Sequence, residues 1–169
     1  MKNLKCAELI GIVFTIVLGF LLHFVYEWLG YNQFVALFSA VNESTWEHLK
    51  LLFFPYILYA ILEYISIGNK YSNFVTAKCI SVICGLVIIP VLFYAYTTII
   101  GTNYFILDIS IFIIAVIVSY IISYNILKNT TLKINSICIL ILVLICISFF
   151  QFTFDPPNYF LFLDPVSNF

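Results

Sequence analysis

Five long apolar runs alternate with short polar breaks along the chain, at about Leu4–Leu29, Thr45–Ser66, Phe74–Ile100, Tyr104–Leu127 and Ile134–Phe154. Each reaches the roughly 20 residues that a helix needs to cross a bilayer. Helix is the expected form, because in hydrocarbon every backbone donor and acceptor must be satisfied within the segment or in a closed barrel, and these runs are too long and too evenly apolar for barrel strands. The breaks differ in kind. Ile67–Asn73 and Lys128–Lys133 are short, polar and basic, and Gly101-Thr102-Asn103 is a bare turn. Gly30–Ser44 is longer and half apolar, and its Phe34–Phe38 stretch, too short to span, is expected to lie along or dip into an interface. Pro90 is expected to kink the third run, and Pro55 is a second candidate kink. The fold class predicted is all-α: one domain over residues 1–169, an integral membrane bundle of five helices whose apolar C-terminal tail folds back on the outer side.

Composition sharpens this picture. Only 9% of the 169 residues are charged and 64% are hydrophobic, at a mean hydropathy of +1.13. Soluble chains carry roughly a quarter charged residues, so the missing polar coat assigns the covering to lipid. A disordered tail, a nucleic-acid binder and a cytosolic enzyme are excluded. Lipid is thus the expected partner, with no nucleic acid. The cysteines Cys6, Cys79, Cys84, Cys138 and Cys146 lie in or beside apolar runs and read as small buried hydrophobes, not as a disulfide framework.

Orientation follows from the lysines. Lys2, Lys5, Lys70, Lys78, Lys128 and Lys133 fall on one side of a five-span threading and Lys50 on the other. By the positive-inside rule this predicts a cell-membrane protein with a cytoplasmic N-terminus and an extracytoplasmic C-terminus. Trp28 and Trp46 then land at the outer interface. So do His23 and His48 with Glu27, Glu43, Glu47, Asp108, Asp155 and Asp164, while Glu8 and Glu63 lie at the inner side, Glu63 near a partner in Lys70. Ionisable groups at membrane depth are costly unless they face a cavity or each other, so this layer reads as an outward-facing polar pocket or as a hydrated rim.

Three patterns fill that layer. Gly11, Thr15, Gly19, His23 and Glu27 recur every fourth residue, a ridge suited to close helix packing, with His23 and Glu27 spaced to share a metal or to pair with each other. Ser44-x-x-Glu47 reads as a capping box, Glu47 reaching back to the Ser44 amide, and Lys50 can pair with Glu47 on a solvated face. Asn42-Glu43-Ser44 also matches a glycosylation acceptor. Ser148, Gln151 and Asp155 share one face of the fifth run and are expected to point at the same layer. After Pro156 and Pro157, the tail through Leu163, Asp164, Pro165 and Val166 is expected to fold over the outer mouth or to anchor at the interface. Asp108 reads as a first-turn partner of the helix dipole.

The His23–Trp28 stretch, the block from Leu37 to Pro55 with its Asn-Glu-Ser-Thr-Trp-Glu-His core, and the tail resemble an uncharacterised family of small multi-pass bacterial membrane proteins carrying a domain of unknown function. The resemblance covers nearly the whole chain and implies no activity. In the tail, Asn158 stands where relatives often have a histidine.

Function is read from the constellation. His23, Glu27, Glu43 and His48 form a candidate ligand set for a divalent metal such as zinc, with Glu47 or Asp155 as general base, in a metal-dependent hydrolase acting on a lipid or lipid-linked substrate. The alternatives are a module that binds or transports a cation or small solute, and a structural assembly protein whose polar groups satisfy one another.

Overall fold

A computed structural model describes residues 2–164, and Pro165 and Val166 of the tail lie outside the described residues. The chain is helical, with no strand among the described residues. Helix α1 is Lys2–Trp28, α2 the single turn Gln33–Ala36, α3 Thr45–Ser66, α4 Phe74–Ile100, α5 Phe105–Asn129 and α6 Asn135–Phe154. The five long helices are long and apolar enough to cross a membrane. Helices α3 and α4 run through Pro55 and Pro90.

The ends are set by local chemistry. The Asn32 carboxamide oxygen accepts from the Phe34 and Val35 amides and starts α2. Ser44 caps α3 by accepting from the Glu47 amide at 3.4 Å. Only that half of the capping box forms. The Ser44 amide is taken by Asn42 at 3.0 Å, and the Glu47 carboxylate accepts from the Val41 amide at 3.0 Å instead. Gly101, at φ +87°, ends α4 in the left-handed conformation that lets the chain turn into α5.

Helix α3 is the centre of the assembly: 56% of its most apolar window is buried, against 11% for α6. Helices α1 and α4 flank α3, α5 closes against both, and α6 packs on α4. The main core joins Leu52, Phe53 and Tyr56 to Val82, Val116 and Phe149, and a smaller one joins Leu4, Ala60, Phe74 and Leu127 at the opposite end from the histidines. The ridge on α1 faces protein as expected. Gly11 lies against the Tyr59 and Tyr120 rings, the Thr15 hydroxyl bonds Tyr120 Oη at 2.8 Å, and Gly19 lies against Phe112 and the Leu51 carbonyl. The outward faces, such as Val13 and Val17 on α1 and Leu140 and Leu144 on α6, are exposed and apolar, compatible with a bilayer around them.

Four expectations are corrected. Lys50 pairs with Glu47 at 2.5 Å, but the pair is buried and not on a solvated face, because α2 and α6 close over it: the ammonium also donates to the Ala36 carbonyl at 2.8 Å and the Thr153 hydroxyl at 2.9 Å. Glu63 pairs with Lys78 at 2.6 Å and not with Lys70, since α4 turns Lys78 inward while Lys70 stays exposed. Ser148, Gln151 and Asp155 do not point into the layer that holds the histidines. Ser148 is satisfied by the Leu144 carbonyl, Gln151 and Asp155 are exposed, and Thr153 is the polar residue of α6 turned toward α3. Trp46 does not turn its ring outward as the exposed Trp28 does, for its indole packs on Phe149, Phe152 and Phe162.

The tail folds back over the histidine end. A short turn, Phe160–Phe162, places Phe162 on Trp46 and Phe160 on Tyr94, whose hydroxyl donates to the Phe160 carbonyl at 3.2 Å. Asp164 accepts from the Glu43 amide at 3.5 Å.

Candidate functional site

Where α1 ends, the loop before α3 arrives and α4 turns into α5, a cavity of about 530 Å³ opens. Its walls are apolar, with Phe20, Phe93, Phe112 and Ile89 among them, and its polar groups are His23, Glu43, Thr45, His48, Asn103 and Asp108. A volume of this order suits a small molecule or part of a larger one.

Three side chains converge at the polar side. His23 rises from α1, His48 from the first turn of α3 and Glu43 from the loop just before it. One ligand atom of each lies within 4.8 Å of the others. His48 Nε2 is 3.5 Å from one Glu43 oxygen, His23 Nε2 is 3.9 Å from the other, and the two rings are 5.2 Å apart between centroids. His48 Nδ1 lies 2.9 Å from the carbonyl of Ser44, the residue that caps α3 four positions back. Nδ1 is therefore the donor, and Nε2 is the atom turned to the cluster. This is the orientation a neighbouring carbonyl gives a metal-ligating imidazole. His23 Nδ1 is buried without a hydrogen-bond partner. Hydrogen bonding to His48 holds the Glu43 carboxyl below its usual range; half-burial opposes this, and the charge of both imidazoles assists it.

The remaining candidates sit elsewhere. Glu27 is exposed one turn beyond His23, outside the group of three. Glu47 is buried against Lys50 and the Val41 amide. Asp155 ends α6, exposed and away from the cavity lining. Asp108 contributes more than a dipole partner. It accepts from the Tyr96 hydroxyl and, at 3.4 Å, from Asn103 Nδ2, and it lines the same cavity as the histidines. The signal for it was weak: a tyrosine-rich end of α4 followed by an aspartate in the next first turn. The aromatic walls gave no signal, since a phenylalanine facing a cavity and one facing lipid look alike in sequence.

Fold and cavity together define a helical protein whose five long apolar helices are compatible with a multi-pass membrane protein. Within that class the chain belongs to a family of unknown function, DUF6512, whose model matches residues 1–168. No curated protein and no solved structure matches it.

Proposed function

We propose that the chain is a cell-membrane, metal-dependent hydrolase of a lipid or other amphiphile, with His23, Glu43 and His48 holding one divalent cation. The observation that carries this is the convergence of two imidazoles and a carboxylate at the polar side of an otherwise apolar cavity. Two nitrogens and one oxygen suit a zinc-like ion and leave a coordination position open. Such a cation would supply the Lewis acid that activates water for hydrolysis. The apolar walls would take the chain of the substrate and the polar groups its head. Asp108 takes the general-base role in this reading, because it lines the cavity whereas Glu47 and Asp155 do not. Its hydroxyl and amide donors, Tyr96 and Asn103, orient the carboxylate.

Metal content of the purified protein tests the centre. About one equivalent of zinc or manganese is expected in the wild type, with loss in His23→Ala and in His48→Ala and retention in Asp108→Asn. Hydrolysis of fluorogenic phospholipid or acyl esters is expected to fall in all three. A wild type that binds no divalent ion, or alanine variants that bind it unchanged, would remove the proposal.

A further inference from the structure

A second polar cluster is buried at the other end of the bundle, separate from the histidine cavity. Lys78 of α4 is 2% exposed and holds two carboxylates, Glu8 of α1 and Glu63 of α3, which are 4% and 3% exposed. The ammonium lies 3.0 and 3.1 Å from the Glu8 oxygens and 2.6 Å from Glu63 Oε2. Glu8 Oε1 also accepts from the Ser123 hydroxyl at 2.8 Å. Both Glu63 oxygens are buried without a hydrogen bond, and Oε2 is held by its ion pair with Lys78. The other titratable groups around the cluster are Tyr56 and Tyr59 of α3, Tyr120 and Tyr124 of α5, and Lys5 and Cys6 of α1. The phenols are neutral at ordinary pH, and Lys5 is exposed. Two acids thus share one buried cation.

Were both acids ionised, the cluster would keep an uncompensated negative charge out of water, the most unfavourable arrangement for an ion network. A neutral carboxyl removes that charge. From the charge count and the burial of all three side chains we infer that the cluster binds one proton, making it a proton-holding site inside the bundle. Exchange has a route. A cavity of about 250 Å³ between α1 and α5, lined by Lys5, Glu8, Ile12, Tyr120 and Tyr124, reaches Glu8 from the lysine-bearing end. The site therefore has what reversible proton storage needs: buried acids, a fixed counter-ion and an opening on one side. It does not depend on the metal-centre reading.

Infrared spectroscopy of protein labelled with ¹³C at the glutamate side-chain carboxyls tests this at neutral pH. A protonated-carboxyl stretch, above the amide and carboxylate bands, is expected in the wild type, shifted by the label and again by D₂O. It is expected to vanish in Glu8→Gln and in Glu63→Gln, because either amide replaces the neutral partner and leaves the other acid ionised beside Lys78. If neither amide variant folds, Glu8→Asp and Glu63→Asp are compared, each moving its share of the signal out of the labelled set. Absence of the labelled band in the wild type overturns the inference, including the case in which an alkali cation raises the melting temperature and so replaces the proton. Persistence of the band at full strength in any one folded variant overturns it as well.

Discussion

A lysine with no exposed surface needs an acceptor for each ammonium proton, and Lys50 finds three: Glu47 at 2.5 Å, the Ala36 carbonyl at 2.8 Å and the Thr153 hydroxyl at 2.9 Å. Glu47 in turn accepts from the Val41 amide. One ion pair thus ties α3 to the turn of α2, to α6 and to the loop that delivers Glu43. Breaking a buried pair from one side leaves the other charge stranded, which costs about 3–5 kcal/mol, whereas replacing both members with apolar groups is often close to neutral. Lys50→Met is therefore expected to lower stability in detergent by that amount, measured by denaturant titration, and Lys50→Met with Glu47→Leu to recover most of it. Equal loss in the single and double variants would show that the charges themselves are not what holds these elements together. The pair also explains why Glu47 is not free for the cavity although it adjoins His48 in sequence. Successive helix positions point about 100° apart, and here that angle separates a structural acid from a candidate ligand.

At the scale of elements, α1 shows what fourfold spacing can establish. Gly11, Thr15, Gly19 and His23 all meet α3 or α5, or the cavity these helices bound. A Cβ at Gly19 would lie 2.7 Å from the Leu51 carbonyl oxygen, a backbone atom that cannot swing aside. Gly19→Val is expected to cost about 1–3 kcal/mol through overpacking. Val13→Ala, on the 62%-exposed outer face of the same helix, should change stability by less than about 0.5 kcal/mol. Comparable melting temperatures for the two variants would contradict the assigned packing face. Hydropathy located the long helices because a helix able to span a bilayer must have a set length and apolar content, and these five have both. Rotation was legible only where small residues marked a contact face, as on α1. It was not legible on α6, where Ser148, Gln151 and Asp155 share a face yet the interior takes Thr153. Pairing between helices was less legible still. Lys70 and Lys78 are both close to Glu63 in sequence, and only the packing of α4 on α3 selects Lys78. The same limit applies to the histidine group. His23 and Glu27 satisfy the helical rule for a shared ligand, but the carboxylate that meets His23 arrives from the loop before α3 as Glu43.

For the whole molecule, the distribution of exposed charge bears on which end faces the cytoplasm. Lys50 and Lys78 sit in buried pairs and cannot act as loop charges. Among the lysines whose burial is described, the exposed ones, Lys5, Lys70, Lys128 and Lys133, occur at the start of α1, after α3, at the end of α5 and just before α6, all at one end of an alternating bundle. Removing the buried pair from the count therefore strengthens the bias, because Lys50 was the single exception. By the positive-inside rule the expected outcome is that this end, with the opening to Glu8, faces the cytoplasm and the histidine cavity with the folded-back tail faces outside. Single cysteines at Asn69 and at Asn103, in a variant lacking the native thiols, check this in intact cells. A membrane-impermeant maleimide is expected to label position 103 and to reach position 69 only after lysis. The reverse pattern would turn the protein over. It would put the histidine group on the cytosolic side, where any metal and amphiphile would have to be drawn from the inner leaflet and the Glu8–Glu63 pair would exchange its proton with the exterior.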